Sequence, residues 1–180
     1  MFNNNFKQAM KLIVGNCNSR RTGGLEIKAP DGSNQYLMLL SSWPCGSGVT
    51  TTIIVNSNFN NAGIYIGSGT TPAAESDYTL ESRITSGVSG SCYIDYNSGM
   101  DERGNPQLKT VVTLTNNGAS NVTVSELGFF QSVYCAAAAS GSSGSSRVIM
   151  FDRTLLNTPV TIPPGMTAAI SYILKTVVNE

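Results

Sequence analysis

The strongest constraint on this chain lies in residues 111–174, a succession of short strand-like segments closed off by Asn, Gly or Pro. Val111-Val112-Thr113-Leu114-Thr115 runs into Asn116-Asn117-Gly118, and Val122-Thr123-Val124-Ser125-Glu126-Leu127-Gly128-Phe129-Phe130 follows. Pro163-Pro164-Gly165 then turns the chain into Ile170-Ser171-Tyr172-Ile173-Leu174. Apolar and polar residues alternate with a period of two, and no helix-length pattern separates the segments. Many short strands with turn signals between them specify an all-β, antiparallel β-sandwich, jelly-roll-like in its grammar.

The upstream sequence continues the pattern. Leu25 to Lys28 and Gln35 to Leu40 flank Pro30-Asp31-Gly32-Ser33, which predicts a hairpin. Residues 49–55, 64–66 and 92–96 read as further strands, for eight or so in all. A bulge is expected near Gly128. Residues 97–107 and the Ala/Ser/Gly-rich residues 136–146 are expected to be exposed loops, the latter mobile. Only residues 2–14 carry helical spacing, through Phe2, Phe6, Ala9, Met10 and Ile13, with Asn3 to Asn5 as caps. The competing reading there is a strand over 10–14 behind a flexible tip. The expected organisation is an N-terminal arm or first strand over 1–24 and a single sandwich domain over 25–180.

Composition excludes several functions. Eleven basic and eleven acidic residues cancel, so no positive field exists to hold nucleic acid or anionic lipid. Charged residues are only 12% of the chain, about half the globular average, and Ser, Thr, Asn and Gly supply a neutral polar surface instead. No apolar run approaches the roughly 20 residues of a membrane helix. The start, Met1-Phe2-Asn3-Asn4-Asn5-Phe6-Lys7, lacks an apolar core and cleavage site, so no signal peptide is expected.

The chain has no histidine, which removes the usual acid/base group and the Ser-His-Asp and Cys-His systems. Cys17, Cys45, Cys92 and Cys135 are too scattered for a zinc site. Two disulfides with three connectivities are arithmetically open, against the plainer reading of four buried thiols. Glu75, Asp77, Glu81, Asp95, Asp101, Glu102, Glu126 and Asp152 could pair for glycoside hydrolysis, but solvation alone explains scattered acids. No catalytic, cofactor-binding or metal-ligating residue is therefore assigned, and no enzyme or cofactor is expected. Gly67-Ser68-Gly69-Thr70-Thr71 lacks the lysine of a phosphate loop and reads as a turn. Asn121-Val122-Thr123 fits a glycosylation sequon, a triplet that chance often supplies. Glu126 and Arg153 are expected to form an ion pair between sheets, with Arg83 as the other cation placed to meet Glu126.

Three segments together resemble a family of tailed-bacteriophage virion proteins. They are Ile66-Gly67-Ser68-Gly69-Thr70-Thr71-Pro72 with Asp77-Tyr78-Thr79-Leu80-Glu81, the stretch from Val111-Val112-Thr113-Leu114-Thr115 through Val124-Ser125-Glu126-Leu127-Gly128-Phe129-Phe130, and Asp152-Arg153-Thr154-Leu155-Leu156 with Pro159-Val160-Thr161-Ile162-Pro163-Pro164-Gly165. Each motif residue has a plain expected role. Gly67 and Gly69 would supply positive φ, Asp77 would accept backbone amides, and Tyr78 and Leu80 would plug the end of the sandwich. The resemblance implies a structural component of a virion, such as a capsid decoration, neck or collar, or tail-associated protein. It would be made in the host cytoplasm and assembled in multiple copies with other virion proteins and itself. Residues 2–14 would be a docking arm, and the loops at 97–107 and 136–146 contact loops. The alternative is a carbohydrate- or receptor-binding module that meets host-surface glycan through Trp43, Tyr65, Tyr93, Tyr96 and Tyr134, although strand tyrosines usually fill cores and sheet edges.

Overall fold

The computed structural model describes residues 4–7, 25–37, 53–54, 62–95, 107–136 and 145–175. Within them nine strands form two sheets: β1 Leu25–Lys28, β2 Asn34–Leu37, β3 Ile53–Ile54, β4 Gly63–Gly67, β5 Val88–Asp95, β6 Gln107–Asn116, β7 Val122–Ala136, β8 Ser145–Ile162 and β9 Thr167–Lys175. The spine of the larger sheet is β7. One of its edges pairs with β8, and the other pairs with β4 at residues 126–130 and with β2 at 135–136. Outside these lie β1 and β3, and the smaller sheet runs β5-β6-β9.

The alternation read from the sequence sets which side chains meet. Val112, Leu114, Ile170 and Tyr172 of the smaller sheet pack against Ile64, Ile66, Val124, Leu127 and Phe151 of the larger one in a single buried cluster. That shared core makes the fold a sandwich, an unequal one of six strands against three. The β1–β2 hairpin turns at the expected place: Gly32 has φ +81°, and Asp31 accepts the Ser33 amide at 2.9 Å. At the other end Gly165, φ +71°, turns β8 into β9.

Several expectations change. The one pair β3–β4 is parallel, while every other ladder is antiparallel. The bulge expected near Gly128 is present, with register shifts between Phe129 and Phe130 and, further back, between Val124 and Glu126. The supposed loop over 136–146 is partly strand, because β7 reaches Ala136 and β8 begins at Ser145. The loop expected over 97–107 lies outside the described residues except for Gln107, the first residue of β6. Helix is described only over 4–7, and the rest of the expected helical arm lies outside the described residues.

Both crossings between the sheets at one end are tied by Asn116, which is fully buried. Its side-chain amide donates to the carbonyls of Ser120 and Ile162, each at 2.8 Å, and its Oδ1 accepts the Gly118 amide at 2.9 Å. Its backbone bonds Met166 and Gly165. One asparagine therefore satisfies both the β6–β7 turn and the β8–β9 turn, which apolar side chains could not do.

Candidate functional site

The glycine-rich turn after β4 opens a strap, residues 68–87, that crosses the outer face of the larger sheet before β5 begins. Beneath it Tyr65, Phe130, Val148 and Met150 form a second apolar cluster, closed from above by Leu80 of the strap. Tyr65 and Phe130 lie with ring centroids 4.5 Å apart, and the Arg83 guanidinium sits 4.8 Å from the Tyr65 centroid. Leu80 thus covers a sheet face and does not plug the end of the sandwich. The other residue expected at that end, Tyr78, lies against the β1–β2 hairpin, under the Lys28 ammonium at 5.2 Å and beside Gly32.

The strap is fastened by an ionic clasp. Glu126, fully buried, accepts amides from Gly69 at 3.2 Å and Ser82 at 2.8 Å on one oxygen. Its other oxygen accepts the Glu81 amide at 3.2 Å and the Arg153 Nε at 2.7 Å. From there Arg153 reaches outward to Asp77 at 2.9 Å, to the Thr71 carbonyl at 3.1 Å and to Glu81 at 3.3 Å. Thr71 closes the ring by donating its amide and hydroxyl to Glu81 at 2.7 and 2.6 Å. Asp77 accepts the Ala74 amide at 2.8 Å, as its place in the sequence predicted.

Burial alone disfavours the Arg153 charge, yet the hydrogen bonds of Asp77 and Glu126 outweigh it and raise the pKa above the ordinary arginine value. Glu81 is held below the ordinary carboxylate value by the Thr71 hydroxyl and amide. The guanidinium fork explains why this position is arginine: it bonds three carboxylates and a carbonyl in different directions, which an ammonium could not.

The turn that superficially resembles a phosphate cradle uses its amides on the protein's own carboxylates, Gly69 on Glu126 and Thr71 on Glu81. The expectation of positive φ at Gly67 and Gly69 is corrected, since neither has it. They are glycines because of close approach. A Cβ on Gly67 would lie 2.4 Å from Glu126 Oε1, and one on Gly69 would lie 2.6 Å from the same atom. Gly128 obeys the same rule, its absent Cβ making room for Phe130 and Leu80 at 2.7 and 2.8 Å. The ion pair joins strands of one sheet, not two sheets, and Arg153 instead of Arg83 makes it.

Of the other sequence candidates, Asp152 faces the core, where it accepts the hydroxyls of Tyr172 and Thr154. Burial, then the Asp152 charge, pushes the Tyr172 phenol well above its usual value. Tyr65 is wholly buried, whereas Tyr93 is 59% exposed on the smaller sheet, so these two do not form a shared glycan platform. The side chain of Tyr134 and the whole of Trp43 and Tyr96 lie outside the described residues, as do Cys17, Cys45 and the Cys135 side chain. Cys92 is a free, buried thiol whose pKa burial pushes up to about 11. Asp95 is in β5 without a described side chain, and Asp101 and Glu102 lie outside the described residues. Glu75 belongs to the strap and pairs with Lys7.

Sequence reasoning missed Asn5 and Asn116. Both are buried polar hubs, and an Asn in an Asn-Asn-Gly sequence or an Asn run reads equally well as a solvated turn or capping residue, the role given to Asn5. Among the described residues no cluster of three His, Cys, Asp or Glu side chains could hold a metal ion, and no helix could cross a membrane. The chain has no significant match to a protein-family model, a curated protein or a solved structure.

Proposed function

We propose that the chain is a structural subunit of a tailed-bacteriophage particle, present in many copies at its surface as a decoration, neck or tail-associated protein. One observation carries the reading. The three segments that resemble virion modules are far apart in sequence, and they supply Gly69 and Glu81, Glu126, and Arg153 to a single clasp. Both oxygens of Glu126 and both of Glu81 are taken by donors of the protein itself. Charged groups turned on one another in this way fix a shape, and motif residues spent on shape suit a scaffold. The neutral polar composition suits a subunit that contacts partners through apolar and hydrogen-bonding surface, without like-charge repulsion between copies.

The partners of such a subunit are other virion proteins and further copies of itself. Immunogold electron microscopy with antibody to this chain tests the reading on particles purified from the culture that carries its gene. Gold at a constant position on intact particles is the expected result. Label confined to cell debris or secreted material would refute the reading, and binding to host cells by the free protein would favour a receptor-binding module instead.

A further inference from the structure

The helical turn at residues 4–7 is seated on the sandwich by contacts with positions remote in sequence. Asn5, 5% exposed, donates to the carbonyls of Lys28 at 2.8 Å and Met150 at 3.2 Å, and accepts the Lys28 amide at 2.8 Å. Its side-chain amide thereby serves both backbone groups of Lys28 as a neighbouring strand would, on the first strand of the sheet order, and reaches β8 as well. Phe6 meets the edge of the Phe151 ring at 5.8 Å between centroids. The Asn4 amide bonds the Glu75 carbonyl at 2.8 Å, and Lys7 pairs with the Glu75 carboxylate. The seat is thus built from β1, β8 and the strap, and it recognises a short peptide by a buried amide, an aromatic ring and a cation.

We propose that this seat is a docking site for the N-terminal segment of a second copy, so that neighbouring subunits exchange their arms. The inference rests on the proposed multi-copy assembly. Residues 8–24 join the turn to β1. Extended, that connection reaches at most about 60 Å. A folded chain of this length has a radius of gyration of only about 16 Å, so a neighbouring seat is within reach. Every contact of the seated turn is the same whether the arm comes from its own chain or from the next. Exchange therefore changes little in contact energy, and local concentration decides the balance, which the packing of subunits in a particle raises. The turn contributes few residues, so exchange between free chains requires high protein concentration.

A charge swap separates arm exchange from seating within one chain. Lys7 and Glu75 are both surface side chains, 47% and 52% exposed, so Lys7→Glu and Glu75→Lys leave the core intact. Each variant alone opposes like charges at the seat. In a mixture, the Lys7→Glu arm fits the Glu75→Lys seat, and that match exists only between chains. Native mass spectrometry of isotopically distinguished full-length chains, concentrated at low ionic strength, should show the mixed dimer several-fold enriched over either variant's homodimer. Asn5→Ala in the wild-type chain should abolish dimers. Monomers only, a statistical distribution in the mixture, or dimers that survive Asn5→Ala would each overturn the proposal. Any of these results alongside positive particle labelling would discard arm exchange and leave the virion reading in place.

Discussion

Arg153 and Glu126, 27 positions apart, are joined by a 2.7 Å hydrogen bond in which the carboxylate is wholly buried. The ionic attachment of the strap to the larger sheet centres on this pair, beside the packing of Leu80 and the Ile84 amide on the Ile66 carbonyl. The charge of each is compensated by the other, and the remaining lone pairs and protons are met by strap amides, Thr71, Asp77 and Glu81. A buried pair of this kind is weak evidence of net stabilisation against an apolar substitute. What it does secure is the placing of the strap.

Removing one partner should therefore be far worse than removing both. Glu126→Gln keeps the shape but leaves the Arg153 charge short of its innermost partner, and a loss of about 3–5 kcal/mol is expected. Glu126→Gln with Arg153→Met should lose less than the sum of the single changes. Urea unfolding of the four proteins checks this; strictly additive losses would show that the two residues do not act as a unit.

The glycines of the clasp test close approach against backbone freedom. Gly67→Ala places a methyl 2.4 Å from Glu126 Oε1 and 2.7 Å from the Ser82 carbonyl, so one side of the clasp must move. Overpacking of that kind costs about 1–3 kcal/mol. Gly87→Ala meets open space and bears only the strain of φ +77°, roughly 1–2 kcal/mol. The two variants should differ most in amide exchange across residues 68–84, which Gly67→Ala accelerates and Gly87→Ala leaves alone.

Much of this architecture was legible in the sequence, and the gaps have a common cause. Period-two alternation located β6, β9 and the start of β7, because a strand buried on one face must alternate, whereas β4, buried at every position, was legible as an apolar run ending in a glycine turn. The Glu126–Arg153 pair was also foreseeable, since a lone acid within an apolar strand requires a cation. The sequence could not say that the strap lies on the outer face, for Leu80, Tyr65 and Phe130 are equally apolar on either side of a sheet. Nor could it separate glycines needed for φ, such as Gly32, from those needed for room, such as Gly67. That distinction exists only once a distant chain segment has arrived.

Asn116 should prove as sensitive as a core residue. Asn116→Ala strands the carbonyls of Ser120 and Ile162 at the buried crossing of two turns. About 1–3 kcal/mol is expected for each group left unsatisfied, less where water can enter. Thermal unfolding measures the total, and an unchanged Tm would contradict a structural role for this residue.

Stability should also fall at both ends of the pH range. The Glu81 pKa is depressed in the folded state, so its contribution is present above the ordinary value of 4.5 and drains away as pH falls below it. Glu81→Gln should flatten the acid limb of the stability profile. Cys92 is raised from 9.0 to about 11, so the unfolded chain loses its proton first and stability declines from pH 9 upward. Cys92→Ala should remove that part of the alkaline slope. In the native state at pH 8, a thiol reagent should titrate the same number of groups in Cys92→Ala as in the wild type, and one fewer after denaturation.

The proposed incorporation of this sandwich into particles in many copies can be measured on the particles themselves. Quantitative mass spectrometry of gradient-purified particles, with an isotope-labelled standard of this chain, measures that directly. The predicted result is co-purification at a fixed stoichiometry of several copies or more per particle, retained after nuclease and high-salt washing. Loss of the chain from particles on washing, with recovery in the soluble fraction, would contradict it.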